Sequence, residues 1–188
     1  MPSDRRRAGG RRPPATSADP LPEVQGWTLA FHPCLLDQLE RLVAAAEDAV
    51  KRAGRSGANR PGPNQKLLAH LLDLMFEAIP RDPNAAEYRL GHTLGREHAH
   101  WRRAKTGGGR YRLFFRFRSD ARLIVFAWIN DEQSLRTYAS ATDAYRVFAD
   151  GLARGRPPDD WDALVAEANT AAARQRASRL RPRFGGHR

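Results

Sequence analysis

Cysteine is nearly missing from this chain. Cys34 is the single one among 188 residues, so no internal disulfide can form, and a reducing, cytoplasmic setting is expected. Cys34 itself reads as a small, partly buried residue at a helix start. Long apolar runs are missing too. No stretch approaches the ~18–20 apolar residues of a membrane helix, so no membrane association is expected. The N-terminus carries arginines without an apolar segment behind them, which excludes a secretory signal. Its two acids, its prolines and its lack of amphipathic pattern argue against a transit peptide. No P-loop lysine accompanies the glycine run at 107–109. No repeat is visible, and no cofactor is expected.

Acids are scarce in one particular place. The formal net charge is +11, and the tails hold most of it. Residues 1–20 carry five Arg and two Asp, and residues 171–188 carry six Arg and no acid. Both read as disordered basic arms, which leaves 23–170 as the folded domain, bounded by arms at 1–22 and 171–188. Inside that body, residues 81–118 hold ten Lys/Arg against three acids. So much charge of one sign on one segment points to a polyanion such as RNA.

The remaining sequence divides into elements. Trp27–His32 alternates as a first strand. Pro33 suits a first helical turn, and leucines and valines from Cys34 to Ala53 recur at helical spacing up to Gly54. After the turn residues 55–63, Asn64 caps a second helix that runs to Ile79, where Pro80 ends it. Residues 81–100 read as a loop with at most one short strand near Tyr88–Thr93. His100–Lys105 and Tyr111–Arg118 pair across a glycine turn, and Leu123–Ile129 is the most apolar and central strand. A third helix spans Asp143–Arg154, Pro157 and Pro158 break it, and a fourth starts at Asp159 or Asp160. The expected class is α+β: a helical hairpin packed on a twisted antiparallel sheet, with extra C-terminal helices.

Strand alternation then sorts the chemistry. Tyr111, Leu113, Phe115 and Phe117 face the core. Arg112, Phe114, Arg116 and Arg118 face outward, a mixture that binds phosphates and stacks bases. On the preceding strand Trp101 anchors one face, while His98, His100 and Arg102 share the other, with Arg103 and Lys105 near the turn. His98, His100 and His92 could suggest a metal, but a third ligand is not apparent, Glu97 points away and the neighbours are positive. No metal is therefore expected. RNA cleavage without metal needs a base for the 2′-OH, an acid for the 5′-oxygen and cations for the phosphorane. Arginine and histidine supply these. A non-catalytic RNA- or DNA-binding module would use the same surface.

Five ordered blocks carry a resemblance: GWTLAFHPCLLDQLERLVAAAE, PNAAEYRLGHTLGREHAHWRRAK, RYRLFFRFRSDARLIVFAWIND, TYASATDAYRVF and GRPPDDWDAL. From Gly26 to Ala168 the chain resembles the YhaV toxins of the RelE-like group. The resemblance implies a helical hairpin on a twisted sheet. It also implies an mRNA endonuclease acting on ribosome-bound message and an antitoxin with an AbrB-type swapped-hairpin DNA-binding domain. The complex would repress its own operon through operator DNA. For the site it implies Arg112 in Tyr111-Arg112-Leu113, Arg102 after Trp101, Arg89 in its own block and the C-terminal Tyr138. Lys105 and His100 complete the expected catalytic set, with His98, Arg103, Arg116 and Phe114 binding substrate. Asn130-Asp131-Glu132 departs from the basic segment that ribosome-dependent relatives carry there. That leaves the proton transfers to His98, His100 or Glu132.

Overall fold

The computed structural model describes residues 20–56, 60–91, 93–131 and 143–180. Tyr138, Glu132 and His92, named above, lie outside the described residues. The short strand β1 (Glu23–Val24) leads into β2 (Trp27–Phe31), and the long helix α1 (Pro33–Ser56) follows. His32 fixes the junction: its carbonyl accepts from Leu35 and Leu36, and its Nδ1 accepts from the Cys34 N–H at 3.1 Å. Pro33 takes the first turn, where its missing N–H costs nothing.

Helix α2 (Pro63–Asp73) begins two positions earlier than a cap at Asn64 would set it. Gly62 is the cap, and its N–H donates to the Gln65 side chain at 2.7 Å. The helix runs on through a π-turn, Leu74–Ala78, and one last turn, α3 (Ile79–Arg81). The expected strand near Tyr88–Thr93 is replaced by a 3-10 turn, Ala86–Tyr88, and a lone bridge from Arg89 to Arg102.

Strands β3 (Arg102–Thr106), β4 (Tyr111–Arg118) and β5 (Leu123–Ile129) complete one sheet of order β1-β2-β5-β4-β3. The pairings are antiparallel except β2 with β5, which is parallel. The β3–β4 turn holds Gly107, Gly108 and Gly109 at φ of 58°, 66° and 82°. Three consecutive left-handed residues explain the glycine run without any ligand.

Both faces of the sheet are covered. Leu35, Leu36, Leu39, Leu71, Met75 and Ile79 from the α1–α2 hairpin pack on Leu29, Phe31, Leu113, Phe115, Ile124 and Phe126. The opposite face carries α4 (Ala144–Ala153) and α5 (Trp161–Ala168). Tyr145, Phe148, Leu152 and Leu164 there join Trp101, Phe114, Val125 and Ala127 in a second core. The outward face expected of β4 is therefore largely buried. Phe114 is fully buried, stacked on Phe148 at 4.1 Å and edge-on to Tyr145 at 5.8 Å. It is a core residue and cannot stack a base.

The C-terminal stretch also departs from expectation. Through Leu180 it is no free arm but a helix, α6 (Ala171–Leu180), with Ala173 and Ala177 in the first core. Arg176 forks onto Glu40 at 2.8 and 2.9 Å and reaches Asp37 at 2.6 Å. Alanine periodicity hidden among arginines made this helix hard to read.

His32 gives the fold a pH dependence. It is buried, and Nε2 lies 2.9 Å from Oε2 of Glu167 on α5. Burial lowers its pKa and prevails over the hydrogen bond and charge of Glu167, which pull upward. The unfolded chain then binds this proton more readily than the folded one. The stabilising effect is complete above the ordinary histidine pKa of about 6.5 and is lost as pH falls through the lowered value. Thermal melts between pH 7.5 and 5 are expected to show a falling Tm, with a shallower fall in His32→Gln.

Candidate nucleic-acid interface

The residues proposed from the sequence separate into two groups on the α4–α5 face, plus one side chain on the other face. Arg103 and Phe114 are partners across β3 and β4, as are Lys105 and Arg112. Partners in a ladder point to the same side, so Arg103, Lys105 and Arg112 share the face of Phe114.

Tyr145 organises the first group. Asp143 caps α4 by accepting from the Tyr145 N–H at 2.8 Å, which seats the ring at the start of the helix. The Arg112 guanidinium lies over that ring at 5.3 Å and the Arg103 guanidinium at 6.0 Å. Such contacts hold a guanidinium in place while leaving its edge donors available. Arg112 is only 2 % exposed. Its Nη1 donates to the Arg110 carbonyl at 3.2 Å, while its Nε has no hydrogen-bond partner among the described residues. No described carboxylate pairs with it either. A buried cation without a counter-ion is costly, and an anion would relieve that cost.

Asn130 holds this end of β4 in register. Its side-chain oxygen accepts from the Arg112 N–H at 2.5 Å, and its amide donates to the Arg110 carbonyl at 3.1 Å. Lys105 is exposed opposite Arg112. Arg89 is exposed beside the edge strand, and its carbonyl accepts from Arg103 at 3.4 Å.

The second group sits at the other end of β4. His98 and His100 are not strand residues. They belong to the turn before β3, so strand alternation does not apply to them. Both meet Asp159, from the α4–α5 loop: His100 Nε2 is 2.9 Å from one carboxylate oxygen, and His98 Nδ1 is 3.4 Å from the other. The Trp101 indole N–H donates to the same carboxylate at 2.6 Å. Burial pushes the Asp159 carboxyl up. The Trp101 and His100 hydrogen bonds, with the charges of His100 and His98, together outweigh that and hold it below the usual range. Arg116 belongs here as well. It donates to the Asp159 carbonyl at 2.5 Å and lies over Trp101 and Trp161 at 5.5 and 5.2 Å. Arg112 and Arg116 are four residue steps apart along the strand, about 13 Å.

Arg102 stands apart from both groups. It faces the α1–α2 side, over Phe117 at 5.5 Å, and donates to the carbonyls of Ala99 and Trp101 at 2.9 and 3.1 Å. Burial, and then the charge of Arg89, lower its pKa. Its donors hold the turn before β3, so the structure does not bring it to Arg112.

The sequence reading missed Tyr145, Asn130 and Asp159. Tyr145 was visible only as a helical residue. Asp159 lies 59 positions from His100, and nothing local links the two.

The family model for a toxin with endonuclease activity, of toxin–antitoxin system, matches residues 29–169. Two curated relatives come from Escherichia coli. A "Toxin YhaV" from strain CFT073 is 42% identical over 145 residues, 77% of this chain and 93% of that protein. The "Ribonuclease toxin YhaV" of strain K12 is 41% identical over the same shares. No solved structure matches.

Proposed function

The chain belongs to the YhaV family of toxins, endonucleases of toxin–antitoxin systems, and from that premise we propose that it cleaves messenger RNA on the arginine face of β3 and β4. The observation that carries this reading is Arg112, a buried guanidinium fixed over Tyr145 beside Arg103, with no carboxylate against it among the described residues. Its fixed donors suit a phosphate whose charge grows in the transition state.

In this reading the 2′-OH gives its proton to a water molecule and its oxygen attacks the adjoining phosphodiester. The P–O5′ bond breaks as the new P–O2′ bond forms, leaving a cyclic phosphate and a 5′-hydroxyl. Arg112 and Arg103 bind the non-bridging oxygens, and the Lys105 ammonium hands a proton to the leaving oxygen. Arg89 extends the basic track along the bound strand. Tyr145 and Asn130 are positioning residues. Tyr138 completes the set by family resemblance. The side chains grouped here, Arg89, Arg103, Lys105 and Arg112, are all cationic, which disfavours a metal ion at the phosphate. Cleavage is accordingly expected to persist in excess chelator, and its loss there would contradict this mechanism.

As a toxin of a toxin–antitoxin system, the chain has an antitoxin partner and an RNA substrate. Following the resemblance, the antitoxin is of the AbrB-type swapped-hairpin class, and the complex represses its operon by binding operator DNA. Translated message on the ribosome, in the cytoplasm, is the expected target. Among the described residues no helix is long and apolar enough to cross a membrane. The test is in vitro translation with purified toxin. Cuts confined to translated message support ribosome-linked cleavage. Cuts in free RNA keep the nuclease but remove the ribosome from the account. Binding without cuts would favour a non-catalytic module.

A further inference from the structure

The turn before β3 and the loop before α5 bring three metal-binding side chains together. The donor atoms of His98, His100 and Asp159 all lie within 4.8 Å of one another. His98 Nδ1 is buried, and its geometry to Asp159 at 3.4 Å makes no hydrogen bond. The nitrogen thus faces a carboxylate without closing a contact to it. An ion bound to both would close it. Two imidazole nitrogens and one carboxylate oxygen form a donor set for zinc or its neighbours, at about 2.0–2.2 Å each. Trp101 already supplies the outer contact that such sites use to aim a carboxylate.

We infer that His98, His100 and Asp159 form a binding site for a divalent transition metal of the zinc type, with its remaining position left to water. Of the histidines the sequence offered, His98 and His100 meet here, and the α4–α5 loop provides the third ligand, Asp159. Arg116 is the nearby opposing charge. Its guanidinium is turned to the Asp159 carbonyl and to the faces of Trp101 and Trp161, not to the carboxylate. Bound metal would tie the turn that precedes β3 to the loop that precedes α5. It would sit beside Arg116, whose guanidinium reaches the Asp159 carbonyl, at the opposite end of β4 from Arg112. Its role is structural.

The experiment uses the full chain without an affinity tag, stripped with chelator and titrated with Zn²⁺ alone by calorimetry. Co²⁺ serves as a spectroscopic substitute. One equivalent is expected, with the intense visible Co²⁺ bands of a four-coordinate site. At a hundredfold excess over Kd, Tm should rise by roughly 5–10 °C. His98→Ala and Asp159→Asn should each weaken binding at least tenfold. His98 lies on a turn outside both cores, so His98→Ala keeps the test decisive if Asp159→Asn does not fold. Absence of Zn²⁺ binding, or equal binding by wild type and a folded His98→Ala, would overturn the inference and leave only a histidine–carboxylate ion pair.

Discussion

Arg112→Lys is expected to cleave RNA at least about a hundredfold more slowly than wild type while keeping its fold. Removing one preorganised donor at a developing charge costs on that order. Lysine retains the charge but loses the planar fork that lies over Tyr145 and donates to the Arg110 carbonyl. Arg103→Ala, which removes the second guanidinium over the same ring, should lose as much. Arg102→Ala should lose far less, because its donors serve the turn at Ala99 and Trp101. Single-turnover cleavage with near-ultraviolet circular dichroism as the folding check would measure this. Equal loss in Arg102→Ala and Arg103→Ala would mean that the two faces of the edge strand do not separate function.

Phe114→Ala should act on stability instead. A buried phenylalanine costs about 3–5 kcal/mol to truncate. Phe114 stacks on Phe148, meets Tyr145 edge-on and lies 5.6 Å from Trp128. A chain of this size should lose roughly 6–20 °C in Tm. Had Phe114 stacked a base, the melt would be unchanged and only RNA affinity would fall. A calorimetric melt distinguishes the two. A drop below 2 °C would contradict the burial seen here.

Much of the architecture was legible because its signals are local. Leucine spacing gave both hairpin helices, Pro33 marked the start of the first, and the apolar run Leu123–Ile129 gave the central strand, while Pro80, read as a stop, lies inside the last helical turn, Ile79–Arg81. What escaped was mostly non-local. Alternation along β4 correctly separated two faces, but it could not tell that α4 and α5 cover the second. The same period, carried back beyond Arg102, placed His98 and His100 on a strand. The chain is turning there, so the phase is lost. Trp101 and Arg102 did fall on opposite faces, but the histidines followed Trp101 rather than Arg102. The parallel pairing of β2 with β5 depends on the whole α1–α2 connection and leaves no mark in either strand.

For the candidate site, the arginines were visible as charge and their grouping was not. Arg112 with Lys105 could be found from hairpin register. Arg103 joined them only because Tyr145, from a helix 42 residues further along the chain, meets both guanidiniums with its ring. Arg116 and the histidines were drawn to the opposite end by Asp159.

The division between these two ends is the central claim, and mapping 5′ ends of cellular mRNA tests it most directly. Wild type, Arg103→Ala and a His98→Ala/His100→Ala double variant would be expressed without antitoxin. The account predicts new cuts in message with wild type and with the histidine variant, and none with Arg103→Ala. Cuts lost in the histidine variant and retained in Arg103→Ala would contradict it and move the chemistry to the other end of β4.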